Sequence, residues 1–158
     1  MNASLLTMKT PQVDEAYRVP RHPAPINLRL DGNEGQVVSR DLLDSLAGMS
    51  LEELRQYPSC AALEARIAQA FGLEPEQVLL TAGADDGLLR MCRAYLSPSR
   101  DLVLPVPTFE MIQRFASWCF AAVRRVPWPA GEYPTDAVLD AVDGRTGLIA
   151  VVSPNNPT

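Results

Sequence analysis

The sequence predicts an α/β fold, a partial three-layer α/β/α arrangement whose mostly parallel sheet follows an N-terminal arm and short helices. Short apolar runs typical of buried strands alternate with segments whose apolar residues recur at helical spacing. Such alternation is typical of a parallel sheet that helices cover on both faces. The chain before them is rich in proline and glycine and shows little periodicity, as expected of an extended arm.

We divide the chain into three segments on this pattern. Residues 1–39 form the arm and a loop, residues 40–76 form a helical segment, and residues 77–158 form the strand–helix part. In the helical segment, Ser59 is expected to cap a helix that ends at Gly72. Two short helical turns are expected before it, at residues 41–46 and 51–54.

Four strands and three helices are predicted in the last segment. The strands are expected at residues 78–80, 102–104, 121–126 and 148–152. The helices are expected at residues 85–96, from an N-cap at Thr108 to residue 119, and at residues 135–142.

Composition narrows the classes of function. A formal net charge of −5 and a single lysine argue against nucleic-acid binding, which needs clustered basic side chains. The adjacent Arg124 and Arg125 are expected on a solvated strand edge. No apolar run approaches the roughly 18 residues of a membrane span, and the first ten residues lack a signal-peptide core. We therefore expect a cytoplasmic protein with no nucleic-acid or membrane partner.

Cysteine and histidine give no sign of a metal site. Cys60, Cys92 and Cys119 lie far apart without metal-ligand spacing, in alanine- and leucine-rich surroundings. They are expected to be reduced thiols in the core of a cytosolic protein. The single histidine, His22, lies among prolines, so no metal is expected.

A glycine-containing turn follows the first predicted strand, and a helix begins inside it. A helix N-terminus presents free backbone N–H groups and a positive dipole end, which suit a phosphate. Gly83 has no Cβ to hinder close approach, so the amides of Ala84 and Asp85 are candidate phosphate ligands. In the alternative interpretation, Asp85 is an ordinary N-cap.

Two further strand ends carry candidate residues. Phe109 follows the second strand and either stacks on a flat aromatic cofactor or belongs to the helix core. Asn156, after the last strand, either donates its amide to a phenolate-type oxygen or belongs to an ordinary turn. Parallel strands present their carboxyl ends on one edge, where α/β sheets bind ligands. A phosphate cradle, a stacking ring and an amide donor on that edge fit pyridoxal 5′-phosphate.

With these residues the chain resembles the N-terminal part of fold-type I pyridoxal-phosphate enzymes, and most closely histidinol-phosphate aminotransferases. The resemblance rests on five stretches in the family's order, at residues 30–34, 57–58, 75–87, 107–109 and 153–158. It implies that residues 77–158 are the first part of the cofactor-binding large domain. It also implies that residues 40–76 belong to the small domain and dimer interface.

The resemblance implies a role for each matching position. The amides of Ala84 and Asp85 would hold the cofactor phosphate, Phe109 would stack on the pyridine, and Asn156 would hydrogen-bond its 3′-oxygen. Tyr57 would reach the phosphate bound by the other subunit of a homodimer.

Three further positions would lie on the substrate side. Asn33 and Glu34 would border the substrate pocket, and Tyr17 lies about where these enzymes place a substrate-phosphate tyrosine.

The family's catalysis also needs a Schiff-base lysine, and the only lysine of this sequence, Lys9, lies in the arm. We therefore expect the N-terminal portion of an aminotransferase that exchanges an amino group between histidinol phosphate and 2-oxoglutarate in histidine biosynthesis. No catalytic residue is assigned, and the chain alone is expected to be inactive. The alternatives are a threonine-phosphate decarboxylase-like enzyme and a non-catalytic product that acts only as an interaction piece.

Overall fold

The computed structural model describes Pro23 and residues 37–156. The described residues belong to two compact units, which divide between Leu79 and Leu80. None of the described helices is long and apolar enough to cross a membrane.

The unit before Leu80 is helical. Its elements are α1 (Arg40–Ala47), α2 (Leu51–Arg55), α3 (Ala61–Phe71) and a single 3₁₀ turn (Pro75–Gln77). Both short helical turns predicted before α3 are confirmed, and each begins at a serine. The Ser39 hydroxyl accepts the N–H of Leu42, and Ser50 forms a reciprocal capping box with Glu53.

The main helix of this unit begins differently from the prediction. Its N-cap is Cys60, whose side chain makes no capping hydrogen bond, so the prediction that Ser59 caps this helix is wrong. The helix begins after Cys60, which leaves the Ser59 hydroxyl outside the cap position. The predicted stop is confirmed, since Gly72 adopts the left-handed conformation with φ 67°.

The unit from Leu80 onward contains a three-stranded parallel sheet and three helices. The strands are β1 (Asp101–Val106), β2 (Val123–Pro127) and β3 (Thr146–Ile149), in the order β2-β1-β3. The helices are α4 (Gly83–Tyr95), α5 (Glu110–Trp118) and α6 (Thr135–Asp140).

The core confirms that helices cover both faces of the sheet. Leu102 and Leu104 of β1 pack in one cluster with residues of α4 and α5. Val103, which points to the opposite face, packs with Val126 and with Val138 of α6. Because successive strand residues alternate between faces, β1 serves both clusters, and the predicted three-layer α/β/α arrangement results.

One predicted strand is absent from the described sheet. Residues 78–80 are apolar and Val78 has extended backbone angles, but the segment is not part of a strand ladder. A strand requires a hydrogen-bonded neighbour, and the described sheet ends at β2 on one side and β3 on the other. The prediction of a strand at residues 78–80 is therefore wrong for the described structure.

The cysteines differ in burial. Cys92 is buried in α4, and desolvation raises the pKa of its thiol to about 11. Cys119 is half-buried, and burial also raises its pKa. All three thiols are free, as expected, but Cys60 is exposed at the start of α3, so its assignment to the core is wrong.

The amino edge of the sheet carries a charged network. The carboxylate of Asp101 is buried at the start of β1 and pairs with Arg124 at 2.8 Å and with Arg145 at 3.2 Å. Arg124 also pairs with Asp143 at 2.8 Å. Arg124 is therefore a half-buried member of this network, which corrects the expectation of a solvated pair. Arg125 is exposed and donates to Gln113.

Candidate functional site

The candidate site lies at the carboxyl edge of the sheet, opposite the charged network. β1 and β3 are parallel, with Leu102 paired to Leu148 and Val103 paired to Ile149. Their carboxyl ends therefore lie side by side. β1 leads into residues 107–109, and β3 leads into the turn at residues 153–156.

Two hydrogen bonds join these loops, and we call them the Asn155 bridge. The hydroxyl of Thr108 donates to Oδ1 of Asn155 at 2.7 Å. Nδ2 of Asn155 donates to the carbonyl of Pro107 at 2.9 Å. The residues are 47 and 48 positions apart in the chain, so the bridge is a tertiary contact between two strand ends.

The bridge corrects a further prediction. Thr108 does not cap α5, since the N-cap of that helix is Phe109 and no side chain makes a capping bond. No role for Asn155 was predicted from the sequence. The sequence shows that Asn155 and Asn156 are adjacent in the turn after β3. It does not show which of the two amides faces the neighbouring loop.

The third part of the site is the first turn of α4. Gly83 has φ 83°, and a Cβ built on it would meet nothing within 4 Å. Ala84 and Asp85 follow in the first turn, where helix geometry leaves N–H groups without an intrahelical acceptor. Both residues are exposed. The turn therefore presents open backbone donors.

The N-cap of α4 is not Asp85, the residue considered from the sequence. Ala82 is the N-cap, and its backbone N–H donates to the carboxylate of Asp86 at 3.0 Å. Asp86 also pairs with Arg90 at 2.9 Å, and the guanidinium and the Ala82 N–H together lower the pKa of this carboxyl. The alternative that Asp85 is the N-cap is wrong, and the charge of Asp86 is paired.

The direction of α4 brings its first turn to the site edge. Gly147, near the amino end of β3, lies against the backbone carbonyl of Tyr95 at the end of α4. The carboxyl end of the helix is therefore at the amino edge of the sheet. Because α4 packs along the sheet, its first turn is directed to the carboxyl edge.

The two remaining candidates in this unit differ in exposure. Phe109 is half-buried and packs against the core cluster of α4, α5 and β1, so it is a core residue with part of its surface open. Asn156 is exposed in the turn after β3. The Asn155 bridge joins the residues that directly precede them.

None of the other four predicted site residues is among the described residues from Leu80 onward. Tyr57 belongs to the helical unit and its side chain is fully exposed. Tyr17, Asn33 and Glu34 lie outside the described residues.

A cleft of about 790 Å³ adjoins the turn after β3. It is lined by the loop after β2, including Trp128 and Tyr133, and by residues 151–155. The two aromatic rings meet edge to face with centroids 5.4 Å apart. Burial raises the pKa of Tyr133, whose hydroxyl oxygen is enclosed.

The geometry suits a phosphorylated ring. Open backbone donors at a helix N-terminus bind phosphate, and Gly83 leaves room for its approach. The nearest capping charge, that of Asp86, is paired with Arg90, which limits its repulsion of an anion. An aromatic side chain and an exposed amide lie at the two neighbouring strand ends.

Comparison with known proteins identifies the class. The model of the family "Aminotransferase class I and II" matches residues 27–158. The chain therefore belongs to the class I and II aminotransferase family.

Within this family, the chain is similar to curated histidinol-phosphate aminotransferases. Histidinol-phosphate aminotransferase from Granulibacter bethesdensis is 30% identical over 133 residues, which cover 83% of this chain and 36% of the relative. The enzyme of the same name from Bacillus cytotoxicus is 34% identical over 134 residues, with the same coverage of 83% and 36%. The chain thus spans about a third of the length of the curated relatives that it matches.

Solved structures share the fold. N-succinyldiaminopimelate aminotransferase from Mycobacterium tuberculosis has a TM-score of 0.59 at 28% identity, covering 73% of this chain and 33% of its own. Histidinol-phosphate aminotransferase from Sinorhizobium meliloti, solved with pyridoxal-5′-phosphate, has a TM-score of 0.65 at 16% identity, covering 76% and 33%. L-threonine-O-3-phosphate decarboxylase from Porphyromonas gingivalis has a TM-score of 0.53 at 18% identity, covering 75% and 36%. The last two show the fold alone.

Proposed function

We propose that this chain forms part of the pyridoxal-phosphate pocket of an aminotransferase that acts on histidinol phosphate with 2-oxoglutarate. The observation that carries the proposal is the arrangement at the carboxyl edge of the sheet. There the Asn155 bridge joins two strand ends, and the open first turn of α4 is directed to the same edge. Family membership supports the reaction type, and the curated relatives support the substrate.

Each residue of this edge has a proposed task. The backbone N–H groups of Ala84 and Asp85 hold the phosphate, Phe109 lies against the pyridine face, and the amide of Asn156 donates to the 3′-oxygen. The cofactor, when bound, supplies an electron sink for cleavage of a bond at the substrate's α-carbon. The protein's contribution on this edge is to bind and orient the ring.

The reactive lysine, the contact with a second subunit and the substrate-facing residues are proposed to lie outside this edge. Lys9 is the only lysine in these 158 residues, so we propose that the reactive lysine comes from a segment corresponding to the remaining length of the relatives. The fully exposed Tyr57 is free to reach a second subunit of a homodimer. Tyr17, Asn33 and Glu34 are proposed to face the substrate. The proposed setting is cytoplasmic histidine biosynthesis.

The alternatives receive less support. The decarboxylase among the solved structures shares the fold at 18% identity, whereas the curated relatives described above are aminotransferases. A purely structural interaction piece would not need the open donors of the α4 turn.

The test uses protein expressed from its complete reading frame. We expect it to bind pyridoxal phosphate and to transfer the amino group of histidinol phosphate to 2-oxoglutarate. Failure to bind the cofactor, or release of carbon dioxide in place of amino transfer, would contradict the proposal.

A substitution in the α4 turn tests the phosphate ligand. Ala84→Pro removes one backbone N–H at a helix start, where proline is tolerated. Loss of a hydrogen bond to a charged group should weaken cofactor affinity by about 10- to 100-fold. Ala84→Gly keeps the N–H and is the matched control, so equal losses in both variants would count against the assignment. Affinity is measured by absorbance titration.

A further inference from the structure

We propose that Asn155 and Thr108 are positioning residues, which set the placement of Asn156 and Phe109 about the cofactor ring through the Asn155 bridge. The proposal rests on the proposed function and deepens it. Neither Asn155 nor Thr108 needs to touch the cofactor, because each acts through the residue that follows it in the chain.

The placement of the bridge is the first argument. Thr108 directly precedes Phe109, and Asn155 directly precedes Asn156. The bond of 2.7 Å between the Thr108 hydroxyl and Asn155 Oδ1 therefore joins the two loops one residue before each candidate ring contact. Movement of either loop relative to the other would change the separation of those contacts.

The chemistry of the amide is the second argument. Oδ1 of Asn155 accepts from Thr108, while its Nδ2 donates to the Pro107 carbonyl at 2.9 Å. The two bonds use opposite ends of the amide, so they define both its orientation and the distance between the loops. A carboxylate of the same shape would keep the acceptor and lose the donor.

The local structure of α5 is the third argument. Threonine before a helix commonly caps it, which satisfies a free N–H group of the first turn. Thr108 directs its hydroxyl to Asn155, and α5 begins without a side-chain cap. The Thr108 hydroxyl thus bonds to a residue 47 positions away in the chain and does not cap the adjacent helix. Such a use indicates that the relative position of the two loops matters.

The experiment compares Thr108→Val and Thr108→Ser in protein from the complete reading frame, loaded with pyridoxal phosphate. Valine keeps the shape of threonine without the donor, so we expect the cofactor dissociation constant to rise about tenfold, with recovery in the serine variant. An amide donor stabilises the deprotonated 3′-oxygen. A displaced Asn156 should therefore raise the pH at which the bound cofactor's visible absorption changes.

A merely structural bridge gives a different result. Thr108→Val would then lower the melting temperature of the cofactor-free protein and leave the dissociation constant and the absorption midpoint at wild-type values, which would overturn the proposal. Thr135→Val, at an exposed threonine with only a local hydrogen bond, is the matched control and should change neither.

A double substitution tests whether the residues act together. If they act through one bridge, Thr108→Val combined with Asn155→Ala should weaken cofactor binding no more than Asn155→Ala alone. Additive losses would contradict the proposal. Wild-type protein that does not bind pyridoxal phosphate would overturn the proposed function as well, whereas normal wild-type binding with unaffected variants overturns this inference alone.

Discussion

Gly147 lies where β3 passes the carboxyl end of α4. A Cβ at this position would overlap the backbone oxygen of Tyr95 and come within 3.1 Å of the Arg100 Cβ. Because a backbone carbonyl at a helix end cannot move freely, we expect Gly147→Ala to lower the free energy of unfolding by about 1–3 kcal/mol. Urea denaturation followed by circular dichroism measures the change.

Gly144→Ala is the matched control for this prediction. Its Cβ would meet nothing within 4 Å, and its φ is not positive. The control should stay within about 0.5 kcal/mol of wild type. A Gly147→Ala variant as stable as the control would show that α4 and β3 are not in this close contact.

The three thiols should react at different rates. Cys92 is buried and its pKa is raised to about 11, so at pH 8 it is almost entirely the unreactive thiol. Cys60 is exposed. A chromogenic thiol reagent should therefore show a fast phase that Cys60→Ser removes, while Cys92 reacts only after unfolding. Fast reaction of Cys92 in native protein would contradict the packing of α4.

Helix ends show what the sequence can predict about single residues. Gly72 was predicted as a stop and adopts the left-handed conformation that glycine tolerates best. Ser59 and Thr108 were predicted as caps and are not. A glycine stop depends on local backbone sterics, whereas a polar cap competes with tertiary partners such as Asn155, which a local pattern does not contain.

Among the secondary-structure elements, the charged network connects the amino ends of the three strands. Asp101 begins β1, Arg124 lies on β2 and Arg145 directly precedes β3. The pKa of Asp101 is lowered chiefly by its hydrogen bond from Arg124 and then by that from Arg145. The network thus joins the three strands at the edge of the sheet opposite the candidate site.

This network predicts an acid-sensitive contribution to stability. Because the pKa of Asp101 is lower in the folded than in the unfolded state, its contribution is present above pH 3.8 and is lost as the pH falls through the folded pKa. At pH 7, Asp101→Asn should cost about 2 kcal/mol, with allowance for the partly exposed arginines. The cost should shrink below pH 4, as urea denaturation at several pH values can measure.

Asp140→Asn, at an exposed position in α6, is the control for this pH series. It should leave stability nearly unchanged at every pH. If Asp101→Asn lost the same free energy at pH 3 as at pH 7, its effect would not come from the ionised carboxylate.

Two apolar runs show which strands can be predicted from the sequence pattern and which cannot. The apolar run at residues 102–104 predicted β1, which is buried on both faces. The run at residues 78–80 has the same character but lies outside the described sheet. An apolar run indicates burial, while strand pairing also depends on a neighbouring strand from any other part of the chain.

For the chain as a whole, the sequence predicts the parts of the candidate site, but it does not predict the contact that joins two of them. The edge, the Gly83 turn, Phe109 and Asn156 followed from strand ends and helix starts. The Asn155 bridge did not, because two loops 47 residues apart reveal their contact only in three dimensions. The chain spans about a third of the length of its curated relatives.

The proposed cofactor site can be tested by a crystal structure of the protein from its complete reading frame with pyridoxal phosphate. We expect the phosphate to lie within hydrogen-bond distance, about 3 Å, of the Ala84 and Asp85 amides. We also expect Phe109 to lie against the pyridine face and Asn156 to bond to the 3′-oxygen. A cofactor bound away from the carboxyl edge of this sheet would show that the proposed site is wrong.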